Sequence, residues 1–155
     1  MANEPTPRLL DEQLCFALYS ASKKFTHFYQ DALAEFKLTD PQYITMLILW
    51  EKSPMTVRDL GKRLNLDSGT LTPLLKRLEK LGWVNRNRNQ EDERQVDITL
   101  TDYALEQRDA VYSRVNNCID LIGMKQSQYD AMNDQLERLQ TELDRVKNNH
   151  LIQNH

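Results

Sequence analysis

The spacing of apolar residues changes period once along this chain and then reverts, and that change limits the folds open to it. From Leu10 to Phe36 there is no Gly or Pro. Leu10, Leu14, Leu18, Ala21, Phe25, Tyr29, Ala32 and Phe36 step by four or three, the period of a long amphipathic helix. At Val96, Ile98 and Leu100 apolar residues alternate with polar ones instead, the period of a strand. After Thr101 the helical period returns, and Met132, Leu136, Leu139, Leu143 and Val146 alternate steps of four and three, the narrow stripe of a helix-to-helix seam.

Local punctuation divides the chain further. Thr39 with Gln42 three residues on, and Pro41 where no amide is missed, open a short second helix that runs to about Glu51. Ser53-Pro54 breaks it, and Thr56 with Asp59 opens a third helix through Leu64. A fourth starts at Asp67 or Ser68 and runs to Leu81, with Gly82 as its stop signal. Pro73 lies inside it and leaves the carbonyl of Gly69 without its helical partner, so the first turn is expected to loosen or to be non-α. Trp83-Val84 and the run from Val96 to Leu100, separated by the polar stretch from Asn85 to Arg94, read as a two-stranded hairpin with a long charged tip. Thr101 caps a fifth helix that continues up to Gly123, and Ser127 with Asp130 opens a sixth that reaches about Asn148.

This order predicts a mainly α fold, a winged helix-turn-helix with long N- and C-terminal dimerisation helices. The chain reads as one domain over 1–155, with the winged-helix part at 40–100 and dimerisation helices at 8–36 and 101–148. A helix pair joined by a short turn and followed by a hairpin is a DNA-binding arrangement whose second helix enters the major groove. The flanking helices carry apolar stripes that a small central domain cannot cover, and a dimer would bury them.

The composition, 40% hydrophobic and 28% charged in 155 residues, suits one soluble domain. The most apolar run, Ile44 to Trp50, is interrupted by Thr45 and far too short for a bilayer, and Met1 to Arg8 lacks the apolar core of a signal peptide, so no membrane association and a cytoplasmic location are expected. His27, His150 and His155 are the only histidines, too little material for Ser-His-Asp, Cys-His or multi-His metal sites. Gly61, Gly69, Gly82 and Gly123 never fall in a phosphate-loop spacing. No enzyme, metal or cofactor is therefore expected.

The formal charge is -3, too near neutral to announce a polyanionic partner, but it is unevenly spread. Between Arg58 and Arg94 nine bases face six acids, a net of +3, while the remainder is -6. Charge segregated onto the helix-turn-helix and hairpin is the footprint expected for phosphate partners, against the plainer reading of a solvated helix face. Asp67, Ser68, Thr70 and Thr72 place short polar groups at the start of the fourth helix, with Lys76 and Arg77 one to two turns on. Arg86, Arg88 and Arg94 lie in the hairpin stretch, where an arginine can enter a narrow minor groove. Asp92 could hold Arg94 by a bidentate pair, or the two could form a simple surface salt bridge.

The run from Leu60 to Glu79, with Asp92-Glu93-Arg94 in the wing, resembles the MarR-type winged-helix repressors. More narrowly, the run from Gln13 to Tyr19 resembles the branch that senses organic hydroperoxides through an N-terminal cysteine. The resemblance is dense from about Leu10 to Thr101 and beyond that is a matter of helical pattern. It implies a homodimer with interlocked terminal helices, set on successive turns of a pseudo-palindromic operator in double-stranded DNA and repressing nearby genes. It also implies that Cys15 is oxidised by peroxide to a sulfenic acid and that Tyr29 holds its sulfur from the partner subunit. Tyr19, one turn from Cys15, is either a pocket residue or a core tyrosine. Cys118 matches the distal cysteine that closes a disulfide between subunits, or is helix-core filler.

Where that branch usually reads Leu-Thr-Tyr-Pro-Gln-Tyr, this chain has Leu38-Thr39-Asp40-Pro41-Gln42-Tyr43. A carboxylate at Asp40 suits a helix N-terminus, but facing Cys15 it would oppose attack of the sulfur on peroxide unless it turned away. The leading expectation is thus a redox-responsive repressor. The alternatives are a MarR-type regulator gated by a bound small molecule, with Cys15 passive, and a thiol peroxidase, which would lack an arginine or threonine beside Cys15 to polarise the peroxide.

Overall fold

The structure, a computed structural model, describes residues 8–148. It contains six α-helices and a three-stranded antiparallel sheet among those residues: α1 (Leu14–Leu33), α2 (Asp40–Glu51), β1 (Met55–Thr56), α3 (Val57–Leu64), α4 (Ser68–Lys80), β2 (Val84–Arg88), β3 (Val96–Leu100), α5 (Asp102–Asp120) and α6 (Gln126–Asn148). The chain divides into two compact units, 1–115 and 116–155, with the boundary inside α5.

In the first unit the helix starts follow the local chemistry of the sequence. Gln42 donates its backbone N–H to Thr39 Oγ1 at 3.4 Å and Thr39 returns its own N–H to Gln42 Oε1 at 3.0 Å, closing a reciprocal cap on α2. Thr56 Oγ1 accepts from the Asp59 amide at 3.0 Å at the head of α3, and Thr101 Oγ1 accepts from the Ala104 amide at 3.1 Å at the head of α5. Each such cap contributes about 1 kcal/mol. Thr101 also donates to the carbonyl of Gly82 at 2.6 Å, which ties the start of α5 to the end of the α4 turn.

Several boundaries differ from the sequence reading. The first long helix is interrupted: Leu10–Glu12 and Ala34–Phe36 are 3-10 turns, and Gln13, in an extended conformation, starts α1 afresh at Leu14. α4 stays continuous through Pro73. Only one helical hydrogen bond is lost there, at the carbonyl of Gly69 in the first turn, which is where a helix tolerates it best. The hairpin becomes a three-stranded sheet in the order β1-β3-β2, because Met55 and Thr56 pair with Ile98 and Asp97. β2 also reaches four residues into the polar stretch, pairing Arg86 with Ile98 and Arg88 with Val96, so the tip is shorter than expected.

The core of this unit is built from one face of each helix. Leu33, Met46, Leu49, Leu60, Leu71, Leu75, Leu78, Trp83 and Ile98 are fully buried. Trp83 sits edge-on to Tyr103 and Trp50, with ring centroids 4.9 and 6.3 Å away, and Trp50 Nε1 donates to the carbonyl of Ala104 at 3.1 Å. Removing one of the buried leucines to alanine costs about 2–5 kcal/mol in such a core. Arg114 donates to the carbonyl of Ala32 at 3.2 Å and pairs with Glu35, fastening this part of α5 to the end of α1.

The second unit holds the end of α5, a turn and α6. α5 stops at Asp120, three residues short of Gly123, because Leu121, Ile122 and Gly123 close successive tight turns onto Cys118, Ile119 and Asp120, and Gly123 takes a positive φ of 71°. α6 begins at Gln126, and its opening bond runs from the Lys125 amide to Gln128 Oε1 at 3.0 Å; the expected Ser127–Asp130 pair lies inside the helix. Met132, Leu136 and Leu143 of the predicted seam are exposed, at 48%, 37% and 59% of their surface. No helix among the described residues is long and apolar enough to cross a membrane.

Candidate nucleic-acid interface and sensor face

The α3–α4 pair is fixed by its turn. Asn65 takes the left-handed conformation at φ 54°, and a side chain at Gly61 would put its Cβ 2.9 Å from the carbonyl oxygen of Leu66 and 3.5 Å from Leu71. Close approach of the two helices therefore requires glycine at position 61. Asp67 caps α4, with Oδ1 accepting from the Thr70 amide at 2.8 Å. Hydrogen bonds from Thr70, backbone first and hydroxyl second, hold its carboxyl below the ordinary value of 3.8, outweighing a small opposing desolvation.

α4 buries Leu71, Leu74, Leu75 and Leu78 and turns its other face outward. Ser68, Thr70, Lys76 and Arg77 are exposed on that outer side, and Thr72 is half-buried. Between the helix pair and the wing lies an open cleft of about 840 Å³, lined by Ser68, Thr72, Arg58, Lys62, Arg86 and Arg94 among others. Asp67 and Asp92 also line it. Of the residues singled out from sequence, the cleft thus joins Asp67, Ser68, Thr72, Arg86, Asp92 and Arg94; Thr70, Lys76, Arg77 and Arg88 stand outside it on exposed surface.

The wing arginines differ in setting. Arg86 shares the inner face of the sheet with Ile98, which is fully buried, and its Nε is buried with no hydrogen-bond partner among the described residues, so its stem is built into the cleft floor. Arg94 is the opposite, with its side chain 95% exposed at the tip. Asp92 Oδ1 accepts from the Arg94 amide at 3.1 Å and lies 3.5 Å from Arg94 Nε. A contact this exposed contributes little stability, but it restricts where the guanidinium points.

Asn89 and Asp97 complete the tip, and neither was picked out from sequence. Asn89 Nδ2 donates to both carboxylate oxygens of Asp97 at 3.0 Å, and its Oδ1 accepts from the amides of Glu91 and Asp92 at 2.9 and 3.0 Å. Its backbone amide donates to the carbonyl of Gln95 at 2.9 Å. The available signal was chemical rather than periodic: an Asn two and three residues before acidic turn positions is a typical closer of side-chain-to-backbone turns.

The second set of expected residues lies on α1 and the start of α2. Cys15 is exposed in the first turn of α1, and Tyr19 is 63% exposed one turn further. Cys15, Tyr19, Ser22, Thr26 and Tyr29 step by four and three, so they share one face of the helix. The far end of that face borders a cavity of about 210 Å³ lined by Ser22, Phe25, Thr26, Tyr29, Asp40, Tyr43, Ile44 and Leu47. Tyr29 packs between Phe25 and Tyr43, with ring centroids 6.1 and 5.7 Å away.

Asp40 opens α2, and its Oδ2 accepts a hydrogen bond from Thr26 Oγ1 at 3.2 Å. Thr26 is eleven residues beyond Cys15, about 16 Å of helix rise. Within one chain the carboxylate is therefore turned toward Thr26 rather than toward the sulfur. Cys118 lies in the other unit, near the end of α5, and is buried.

The helix pair, its cap and the three-stranded wing define a winged helix-turn-helix protein. The chain belongs to the MarR family, a family of transcriptional regulators, whose pattern matches residues 38–96. The HTH-type transcriptional regulator TtmR of Methylorubrum extorquens (strain PA1) is 44% identical over 137 residues, 88% of this chain and 70% of that protein. The organic hydroperoxide resistance transcriptional regulator of Bacillus subtilis (strain 168) is 47% identical over 102 residues, 66% of this chain and 69% of that one. Among solved structures, AbfR of Staphylococcus epidermidis, reduced and bound to DNA, superposes with a TM-score of 0.78 at 42% identity, covering 88% of this chain and 95% of AbfR. The disulfide form of AbfR superposes with a TM-score of 0.64.

Proposed function

We propose that this MarR-family regulator is a redox-responsive repressor: a homodimer that grips double-stranded operator DNA and releases it when Cys15 is oxidised by an organic peroxide. The observation that carries the reading is the α1 face headed by an exposed Cys15. A sulfur that peroxide can reach is the first requirement of a thiol sensor. The relatives speak in the same direction, since one is an organic hydroperoxide resistance regulator and AbfR has been solved reduced on DNA, overoxidised on DNA and as a disulfide.

Dimerisation follows from two features. Tyr29 lies fourteen residues from Cys15 on the same helix, about 21 Å of rise, so a Tyr29 phenol that holds this sulfur must come from a second copy. Met132, Leu136 and Leu143 of the α6 stripe lie exposed in the single chain and need a covering helix. On DNA, α4 offers Ser68, Thr70, Thr72, Lys76 and Arg77 to the major groove, while Arg94 at the wing tip reaches the minor groove and Asp92 aims it. Asp67 serves as the helix cap, and Arg86 and Arg88 supply positive charge beneath the backbone. A regulator acting on chromosomal DNA would work in the cytoplasm.

In the reaction the Cys15 thiol gives up its proton, the thiolate attacks the terminal peroxide oxygen, the O–O bond breaks, the departing alkoxide takes up a proton to leave as an alcohol and the sulfur becomes a sulfenic acid. Condensation with the Cys118 thiol of the partner subunit then expels water and forms a disulfide. Cys118 is buried, so this second step requires movement of α5, and that movement displaces the reading helices.

The test uses a duplex selected from a random pool by the reduced protein. Cumene hydroperoxide should release wild-type protein from that duplex and produce a linked dimer on a non-reducing gel. Cys15→Ser should bind equally well and fail to release. Release that persists in Cys15→Ser would return the chain to the ligand-gated reading, in which the cavity beside Tyr29 and Asp40 is the sensor.

A further inference from the structure

We propose that Asn89 is the positioning residue of the wing: its side-chain amide, clamped to Asp97, sets the turn that holds Asp92, and through Asp92 it aims Arg94. The inference rests on the DNA-binding reading above and assigns a role within it to a residue that makes no ionic contact.

The geometry is that of a two-sided clamp. On one side Asn89 Nδ2 donates to Asp97 Oδ1 and Oδ2, both at 3.0 Å, and Asp97 is anchored in β3 opposite Asn87 and Thr56. On the other side Asn89 Oδ1 accepts from the amides of Glu91 and Asp92. The Asp92 carboxylate then accepts from the Arg94 amide and meets Arg94 Nε. Gln95 closes the loop, its amide donating to the carbonyl of Asp92 at 2.9 Å and its carbonyl accepting from the Asn89 amide.

Every link from the sheet to Asp92 and on to the Arg94 amide is thus a hydrogen bond, the guanidinium itself is met by an ion pair at 3.5 Å, and Asn89 is the link that joins the strand to the tip. A long, fully exposed arginine would otherwise explore many rotamers, and ordering it on binding would cost affinity. No other residue type supplies what the position uses. The Asp97 carboxylate needs donors, the Glu91 and Asp92 amides need an acceptor, and one short amide offers both.

The sequence neighbourhood makes the clamp testable by exchange. Asn89→Asp keeps the acceptor and sets a second carboxylate against Asp97, breaking the clamp. Adding Asp97→Asn restores one donor and one acceptor with their roles reversed.

The experiment measures affinity for the selected duplex in wild type, Arg94→Ala, Asn89→Ala and the double variant, with thermal melting of each protein as the check on folding. Asn89→Ala should weaken binding about tenfold in the wild-type background and less than about twofold once Arg94 is alanine, the non-additivity of residues acting through one another. Asn89→Asp should weaken binding similarly, and Asn89→Asp with Asp97→Asn should recover most of the loss. Equal losses in both backgrounds would overturn the proposal, showing that Asn89 only supports the wing. So would an Asn89→Ala protein that binds as tightly as wild type while Arg94→Ala does not. If the reduced wild-type protein selects no duplex at all, the DNA-binding reading fails, and the clamp's role falls with it.

Discussion

Thr26 donates its hydroxyl hydrogen to Asp40 across 3.2 Å, joining the middle of α1 to the first residue of α2. That bond accounts for a carboxylate where the hydroperoxide-sensing branch usually carries a phenol. The charge is tethered at the cavity end of the α1 face and not at its cysteine end. In the proposed dimer, where Tyr29 of one copy reaches Cys15 of the other, Thr26→Val should free the Asp40 that borders the same cavity as Tyr29 and slow peroxide oxidation of Cys15 by about threefold, as a nearby negative charge opposes thiolate attack. Asp40→Asn in the same background should bring the rate back, as followed by trapping the sulfenic acid over time. An unchanged rate in Thr26→Val would show that the tether is irrelevant to the sulfur.

The two thiols should separate cleanly in a labelling experiment on the reduced protein. Cys15 is exposed and Cys118 buried, so an alkylating reagent should modify Cys15 at least about tenfold faster. Mass spectrometry of partially labelled protein reads the ratio. Comparable rates would mean that α5 opens readily before any oxidation.

Salt titration examines the electrostatic half of the reading. Binding to the selected duplex should weaken with a log–log slope of about -0.9 per phosphate neutralised. Arg94→Ala should shallow that slope by about one, whereas Arg8→Ala, outside the basic segment, should leave it unchanged. A slope insensitive to Arg94 would remove the wing from the interface.

The cap of α4 gives a pH signature. Bonds from Thr70 depress the Asp67 carboxyl in the folded chain, so the folded state binds its proton less readily than the unfolded one. The cap's stabilisation is complete above the unfolded value near 3.8 and disappears as pH falls through the lower folded value. Asp67→Ala should therefore melt at a lower temperature than wild type at neutral pH, with the gap closing below that range. Asp67→Asn, which keeps an acceptor, should lose less at neutral pH. A gap that stays constant with acidification would mean that the carboxylate charge plays no part in the cap.

Most of the fold was legible because its signals are local. Thr39, Thr56, Asp67 and Thr101 cap helices through atoms three residues away, and a linear reading finds them. β1 was not legible: two residues, Met55 and Thr56, become a strand only because Ile98 and Asp97 arrive from more than forty positions away. The start of α6 was misplaced because Ser127 and Asp130 have the right chemistry, but Lys125 and Gln128 close the helix first. At the candidate site the exposed arginines and Cys15 announced themselves by charge and by the resemblance. Asn89 and Thr26 did not, since a neutral polar residue shows its task only when its partners, Asp97 and Asp40, are brought beside it.

Gly61 carries a wider consequence. With the Leu66 carbonyl pressed against the space where its side chain would be, the turn between α3 and α4 leaves no room for a larger residue. A substitution there would have to shift the turn on which the α4 reading face is set. In the proposed switch, the oxidation signal would then reach the chromosome by moving that face as a whole rather than by reshaping it.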